Sequence, residues 1–261
     1  DPEPDGDDLF VNNAESKITS NEVNLEFNSK YVLGKFKAKA NYTNYSYGYD
    51  TILNSNIAIN KFKLEGSAIS IGADWNAKIK NFQLNANASI TPGSGRLSGN
   101  YLKGEAVYEK DSLFVIKGSL LISSKSSNFN TLLHQSSYDN YNWENDIFSN
   151  VNTRDLGFTF NSKWMNAALN FTNIDNYTYF DEDNTPQQFS NQITYLKVKA
   201  NREFKYWKLA LDNTVMYQNV SSGSSVFRVP EVVTRNTFYY TDYWFEGKPM
   251  LVNIGITFKY F

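Results

Sequence analysis

The chain has 261 residues, no cysteine, one histidine and a formal charge of −2, with 20% charged and 16% aromatic residues. This excludes a disulfide framework, makes a histidine- or cysteine-based metal centre untenable, and leaves no basic surplus for nucleic acid. The longest uninterrupted apolar run, Leu113 to Ile116, falls far short of the roughly 18 residues a spanning helix needs. A barrel strand shows lipid only alternate side chains, so a mean hydropathy of −0.50 is no objection to a β-barrel.

In chain order, residues 1–19 open on Asp1-Pro2-Glu3-Pro4-Asp5-Gly6-Asp7-Asp8 and read as an acidic flexible segment or loop, without the basic and apolar regions of a secretion signal. Residues 20–261 read as one β-domain. A repeated start marks its strands: Gly34-Lys35-Phe36-Lys37-Ala38, Asn60-Lys61-Phe62-Lys63-Leu64 and Lys80-Asn81-Phe82-Gln83-Leu84, then Ser162-Lys163-Trp164-Met165-Asn166 and Lys205-Tyr206-Trp207-Lys208-Leu209. Each places an aromatic near a turn and then alternates, as the return strand of a tight hairpin does. Pairing each with the alternating segment before it predicts about seven hairpins, about fourteen strands, in an antiparallel up-and-down transmembrane barrel. Short turns would lie at one rim. Longer polar connections, residues 45–52, 91–96, 123–152, 175–190 and 218–231, would lie at the other.

The last strand shows the alternation most clearly: Val252, Ile254, Ile256, Phe258 and Tyr260 on a lipid-facing side, Asn253, Gly255, Thr257 and Lys259 on the other. Aromatics near strand ends suit the headgroup level: Phe36, Phe62, Phe82, Trp164 and Trp207 by the short turns, and Tyr42, Tyr45, Tyr47, Phe171 and Tyr217 toward the long loops. The same register points Lys37, Lys39, Lys63, Lys78, Lys103, Lys117, Lys197, Lys199, Lys208 and Lys259 into the lumen, with Glu26, Glu65, Glu105, Asp155 and Asp212. Such a lumen is net positive and favours anions, unless the lysines pair across strands or line a plugged interior.

Asn128-Phe129-Asn130-Thr131-Leu132-Leu133-His134-Gln135-Ser136-Ser137-Tyr138, with Asn140-Tyr141-Asn142-Trp143, resembles the putative porin family of Bacteroidota outer membranes. So do Asn173-Ile174-Asp175-Asn176-Tyr177-Thr178-Tyr179-Phe180 and Phe227-Arg228-Val229-Pro230-Glu231-Val232-Val233-Thr234-Arg235-Asn236-Thr237. The resemblance covers residues 20–261 and implies an outer-membrane barrel of porin type without catalytic residues, of which this chain is a fragment. Strand parity points the same way. At least one strand before Leu25 and one after Phe261 are expected to be missing, and about sixteen strands would complete the barrel.

Chemistry outside the lumen is sparse. His134 beside Ser136, Ser137 and Asp139 does not make a triad by proximity in sequence and reads as a structural loop histidine. Asp181-Glu182-Asp183 and Asp5-Gly6-Asp7-Asp8 lack EF-hand spacing and read as solvated acids. The expectation is therefore a non-enzymatic protein of the bacterial outer membrane, without cofactor or metal, in contact with lipid. It would pass small hydrophilic solutes through a passive channel. The alternative is a structural or interaction barrel with a plugged or narrow lumen, docked to other outer-membrane proteins through residues 123–152. A soluble β-sandwich that stacks sugars on its aromatics is the remaining alternative.

Overall fold

The computed structural model describes residues 13–28, 33–49, 63–111, 113–136, 138, 141–247 and 249–261. Twelve long strands form one antiparallel sheet: β1 (Ala14–Asn28), β2 (Lys35–Tyr49), β3 (Lys63–Ile79), β4 (Phe82–Thr91), β5 (Gly99–Lys110), β6 (Phe114–Lys125), β9 (Val151–Ser162), β10 (Asn166–Asp175), β13 (Ile193–Tyr206), β14 (Leu209–Ser222), β15 (Val232–Trp244) and β16 (Met250–Tyr260). They follow one another in chain order across the sheet, which stays open between β1 and β16. Two long connections carry elements of their own. One holds the single turn α1 (Phe129–Leu132) with the pair β7 (Leu133–His134) and β8 (Trp143–Glu144), and the other holds β11 (Thr178–Phe180) and β12 (Pro186–Gln188).

Tight turns lie along one rim. Lys80-Asn81 joins β3 to β4, with Lys80 at φ 51°, and Trp207-Lys208 joins β13 to β14, with Trp207 at φ 56°. Such left-handed conformations match the twist of two-residue hairpin turns. The Ser162 hydroxyl closes the β9–β10 turn by donating to the Met165 carbonyl (2.9 Å) and accepting from the Trp164 and Met165 amides. Longer connections occupy the opposite rim: 92–98, 126–150, 176–192 and 223–231. β2 continues to Tyr49 and β14 to Ser222, so the first parts of the expected loops 45–52 and 218–231 are strand, and β1 begins inside the segment 1–19.

Among the described residues six hairpins carry the sheet, where the repeats suggested about seven along the chain. The difference lies in β3. Residues 63–79 form one strand of 17 residues that descends from the long-loop rim, so Lys63-Leu64 lies at that rim, and the Asn60-Lys61-Phe62 start of this repeat lies outside the described residues.

Directly opposed residues in an antiparallel ladder share a face, so the register sorts the side chains. One face carries Phe36–Trp75, Tyr42–Ile69, Ile71–Ile90, Leu102–Ile122, Leu120–Leu156, Phe158–Leu169, Phe171–Leu196, Val198–Tyr217 and Phe238–Ile256. These apolar groups are uncovered by protein, with Ile69 at 60% and Ile256 at 77% exposure. A water-soluble monomer rarely exposes a contiguous apolar patch above a few hundred Å². Among the described residues no second sheet covers this apolar face, and the two further sheets are two-stranded pairs within the long connections, which argues against a sandwich. The other face is polar along most of its length and receives the fold's principal buried cluster at the long-loop rim.

Candidate functional site

On the polar face the register brings together Lys37, Lys39, Lys78, Lys103, Lys117, Lys197, Lys199 and Lys259 with Glu26, Glu105, Asp155 and Asp212. Across β2–β6 the charges are partly matched. The Lys39 ammonium lies 2.8 Å from Asp74, which also accepts from the Asn87 amide, and Glu105 receives Lys103 at 3.0 Å and Lys117 at 3.4 Å. Farther along, the acids are held by neutral donors. Asp155 accepts from Thr172 (2.6 Å) and Asn170 (3.1 Å), and Asp212 accepts from Asn201 (2.7 Å). Lys197 stands opposite Asn170 and Gln218, and Lys199 opposite Ala168 and Met216, with no ion pair to either among the described residues. Among the described residues, positive charge without an ion pair therefore remains at Lys197 and Lys199 on β13, at Lys125 on β6, and where Arg235 faces Lys259 across β15 and β16.

Three assigned positions fall elsewhere. Lys63 is opposed by Gly48 and Glu65 by Ser46, on the face of Ile69 and Ile71, and the Ser46 hydroxyl donates to Glu65 at 2.9 Å. The cause is the phase of β3: the repeat aligned Phe62 and Leu64 with Phe82 and Leu84, whereas Leu64 occupies the polar face opposite Tyr47. Lys208 sits in the β13–β14 turn, over the Trp207 ring at 4.8 Å, and pairs with Asp242 at 2.5 Å at the rim. The apolar face carries Phe36, Phe82, Tyr42, Phe171 and Tyr217 as well as Val252, Ile254, Ile256, Phe258 and Tyr260, while Trp164 and Trp207 occupy exposed turns. Phe62, Ser137 and Asp139 lie outside the described residues.

The sequence did not disclose what happens to the polar face at the long-loop rim. There β2 replaces its lysines with Tyr45, Tyr47 and Tyr49, all on the polar face rather than at a lipid interface. Leu132 and Leu133, both 0% exposed, come down from the 126–150 connection and pack with Tyr45, Tyr49 and Leu64, and Phe129 stacks on Tyr45 with centroids 5.2 Å apart. Tyr45 can lie flat because its neighbour across the ladder is Gly66. A β-carbon there would approach the Tyr45 hydroxyl to 2.9 Å. The available signal was the run of tyrosines at alternate positions on a face otherwise built of Lys, Asn and Thr.

Polar ties complete the attachment of the connection. Arg96, in the β4–β5 loop, pairs with Asp146 and reaches the Asn145 carbonyl at 3.4 Å. The Asn150 side chain donates to the Ser98 carbonyl (2.9 Å), and Gln188 clips Ser149 by donating to its carbonyl (2.8 Å) and accepting from its amide (2.9 Å). His134 is hydrogen-bonded through Nδ1 to the Tyr49 hydroxyl at 2.8 Å and stacks on Trp143 at 4.7 Å, and burial pushes its pKa below the ordinary value. The Ser136 hydroxyl accepts from the Tyr138 amide at 3.1 Å. Asp181 is an Asx-type turn residue whose carboxylate accepts from the Thr185 amide and hydroxyl, and these bonds hold its pKa down. No group of three His, Cys, Asp or Glu among the described residues is arranged to hold a metal.

Solved structures share this sheet. The siderophore receptor PirA from Acinetobacter baumannii superposes with a TM-score of 0.62 at 11% identity, over 87% of this chain and 40% of that one. PirA from Pseudomonas aeruginosa gives 0.61 at 14% identity, over 95% and 47%. The alcaligin outer membrane receptor FauA from Bordetella pertussis gives 0.51 at 10% identity, over 96% and 47%. At these identities the likeness is one of fold, and this chain spans less than half the length of each. No curated protein sequence matches it. The family model described as "Putative porin" matches residues 3–261, and the chain, an outer-membrane barrel sheet with an apolar outer belt and a polar inner face, belongs to that family.

Proposed function

We propose that this chain forms the wall of a passive outer-membrane channel for small hydrophilic solutes, non-enzymatic and free of cofactor, with lipid against its apolar belt and an aqueous lumen along its polar face. The observation that supports this most is the pairing of an uncovered apolar face with an opposite face lined by Lys, Asn, Ser and Thr. In a bilayer the belt is solvated by hydrocarbon, the inner residues away from the seated connection meet water, and the alternation needs no second protein layer there. Lys197 and Lys199, without a carboxylate partner among the described residues, bias the path toward anions. The connection 126–150, packed on the polar face, narrows it.

The test is swelling of liposomes reconstituted with the full chain, using sugars of graded size. Influx that falls with solute size supports a passive channel, and impermeability at every size refutes it. The buried Leu132–Leu133 contact also favours a second reading, a barrel plugged by its own loop that serves as a scaffold for other outer-membrane proteins. That reading expects impermeability together with a stoichiometric partner on purification.

A further inference from the structure

Beside the buried cluster the 126–150 connection leaves a cavity of about 390 Å³, within the range of about 300–1,000 Å³ common to small-ligand sites. Its wall comes from the polar faces of three strands: Ser89 on β4, Tyr101 on β5, and Ser123 and Lys125 on β6. Arg96 approaches from the β4–β5 loop, and Phe129 from α1.

Three properties define what this space accepts. Its lining is rich in hydroxyls, and those of Ser89, Tyr101 and Ser123 make no side-chain hydrogen bond among the described residues. Two rings, Tyr101 and Phe129, supply apolar surface beside those hydroxyls. No lining residue is acidic, and of the two cations Arg96 is committed to Asp146 while Lys125 has no ion pair among the described residues. A ligand that presents many hydroxyls, a C–H face and one negative charge satisfies all three. A bare anion would leave the hydroxyls and rings unused, and a cation would meet Lys125.

Building on the reading of the polar face as a solute path, we propose that this cavity is a binding subsite for a small acidic saccharide, a sugar ring bearing a carboxylate. Lys125 pairs with the carboxylate, the serine and tyrosine hydroxyls bond to the ring hydroxyls, and Tyr101 and Phe129 receive its apolar face. A hydrogen bond to a charged group contributes more than a neutral one, so a sugar acid outcompetes its neutral counterpart.

The test is equilibrium binding of glucuronate, glucose and acetate to the detergent-solubilised full chain. Glucuronate is expected to bind about tenfold more tightly than glucose, the scale of one charged hydrogen bond, and more tightly than acetate. Lys125→Gln is expected to remove the preference for glucuronate while glucose binding persists, Lys125→Arg to keep it, and Ser123→Val to weaken both sugars. Equal affinity for glucuronate and glucose, binding of neither sugar, or acetate competing as well as glucuronate each overturn the proposal, as does a preference that survives Lys125→Gln. Absent binding with intact liposome swelling removes the subsite alone, whereas binding without swelling removes the channel alone.

Discussion

Leu133→Ala tests whether the 126–150 connection controls the lumen. The side chain is 0% exposed and lies with Leu132, Tyr45, Tyr49 and Leu64 in the cluster that seats the connection on the polar face. Truncating a fully buried leucine costs about 2–5 kcal/mol, and each ~1.4 kcal/mol is a factor of ten, so the seated-to-released ratio falls by roughly 30-fold to several thousand-fold. The remaining ties do not offset this: Arg96–Asp146 is a partly exposed pair, a class worth about 0–1 kcal/mol. No long strand uses Leu133 in its ladder, so the loss is local to the connection. Single-channel recording in planar bilayers is expected to show a larger or noisier conductance, and limited proteolysis to show new cleavage between residues 126 and 150. A variant that becomes protease-sensitive while conductance stays unchanged would refute the idea that this connection constricts the path.

Four further outcomes are expected. Ile256→Lys places a charge midway along β16 on the apolar face, where lysine near a bilayer midplane costs about 2–4 kcal/mol; urea unfolding in vesicles should show the loss, and unchanged stability would contradict lipid contact there. Lys197→Glu with Lys199→Glu should move the reversal potential in a salt gradient toward cation selectivity, and an unmoved potential would mean that these side chains do not face the ion path. Burial holds the His134 pKa below about 6.5, so the released connection binds the proton more readily than the seated one. Seating is complete above the ordinary histidine value and weakens as pH falls through it toward the depressed value, so conductance should rise between pH 7 and pH 5, and a flat profile would exclude this coupling. Gly66→Val would drive a side chain into Tyr45 and should reproduce the Leu133→Ala conductance, whereas wild-type conductance would show that Tyr45 does not help seat the connection.

Much of the sheet is legible because each strand's alternation is set by its two surroundings and needs no knowledge of distant residues. Val252, Ile254 and Ile256 against Asn253, Gly255 and Thr257 is a local pattern, and the ladder with β15 follows it. The errors occur where a distant segment changes what a face meets. Leu64 breaks the polar sequence of its face because Leu132 and Leu133, far along the chain, cover it, and a repeat matched on Phe62 and Leu64 reads that exception as a new strand. Lys208 fails for a different reason. It belongs to a two-residue turn, where strand parity no longer dictates direction, and its ammonium finds Asp242 across the rim.

The inversion at the top of β3 also gives the level at which the 126–150 connection is seated. The apolar side of that strand runs from Ile69 to Ile79, ten residue steps of about 3.3 Å, or about 33 Å along the strand. Tilted by about 40°, this projects to about 25 Å, the height of the apolar band of an outer-membrane barrel. Above Ile69 the outward positions become Ser67, Glu65 and Lys63, which suit headgroups and water, while the inward positions become Gly66 and Leu64, which meet the 126–150 connection. The same transition occurs on β9, where outward Arg154 reaches Asp175 at 3.4 Å just beyond Leu156. The seated connection therefore lies at the mouth, level with the end of the belt rather than at its middle, whereas Lys199 is flanked by outward Val198 and Ala200 within the belt. On the proposed channel reading, a solute entering from the long-loop rim would meet the hydroxyl-lined cavity with Lys125 first and Lys197 and Lys199 second.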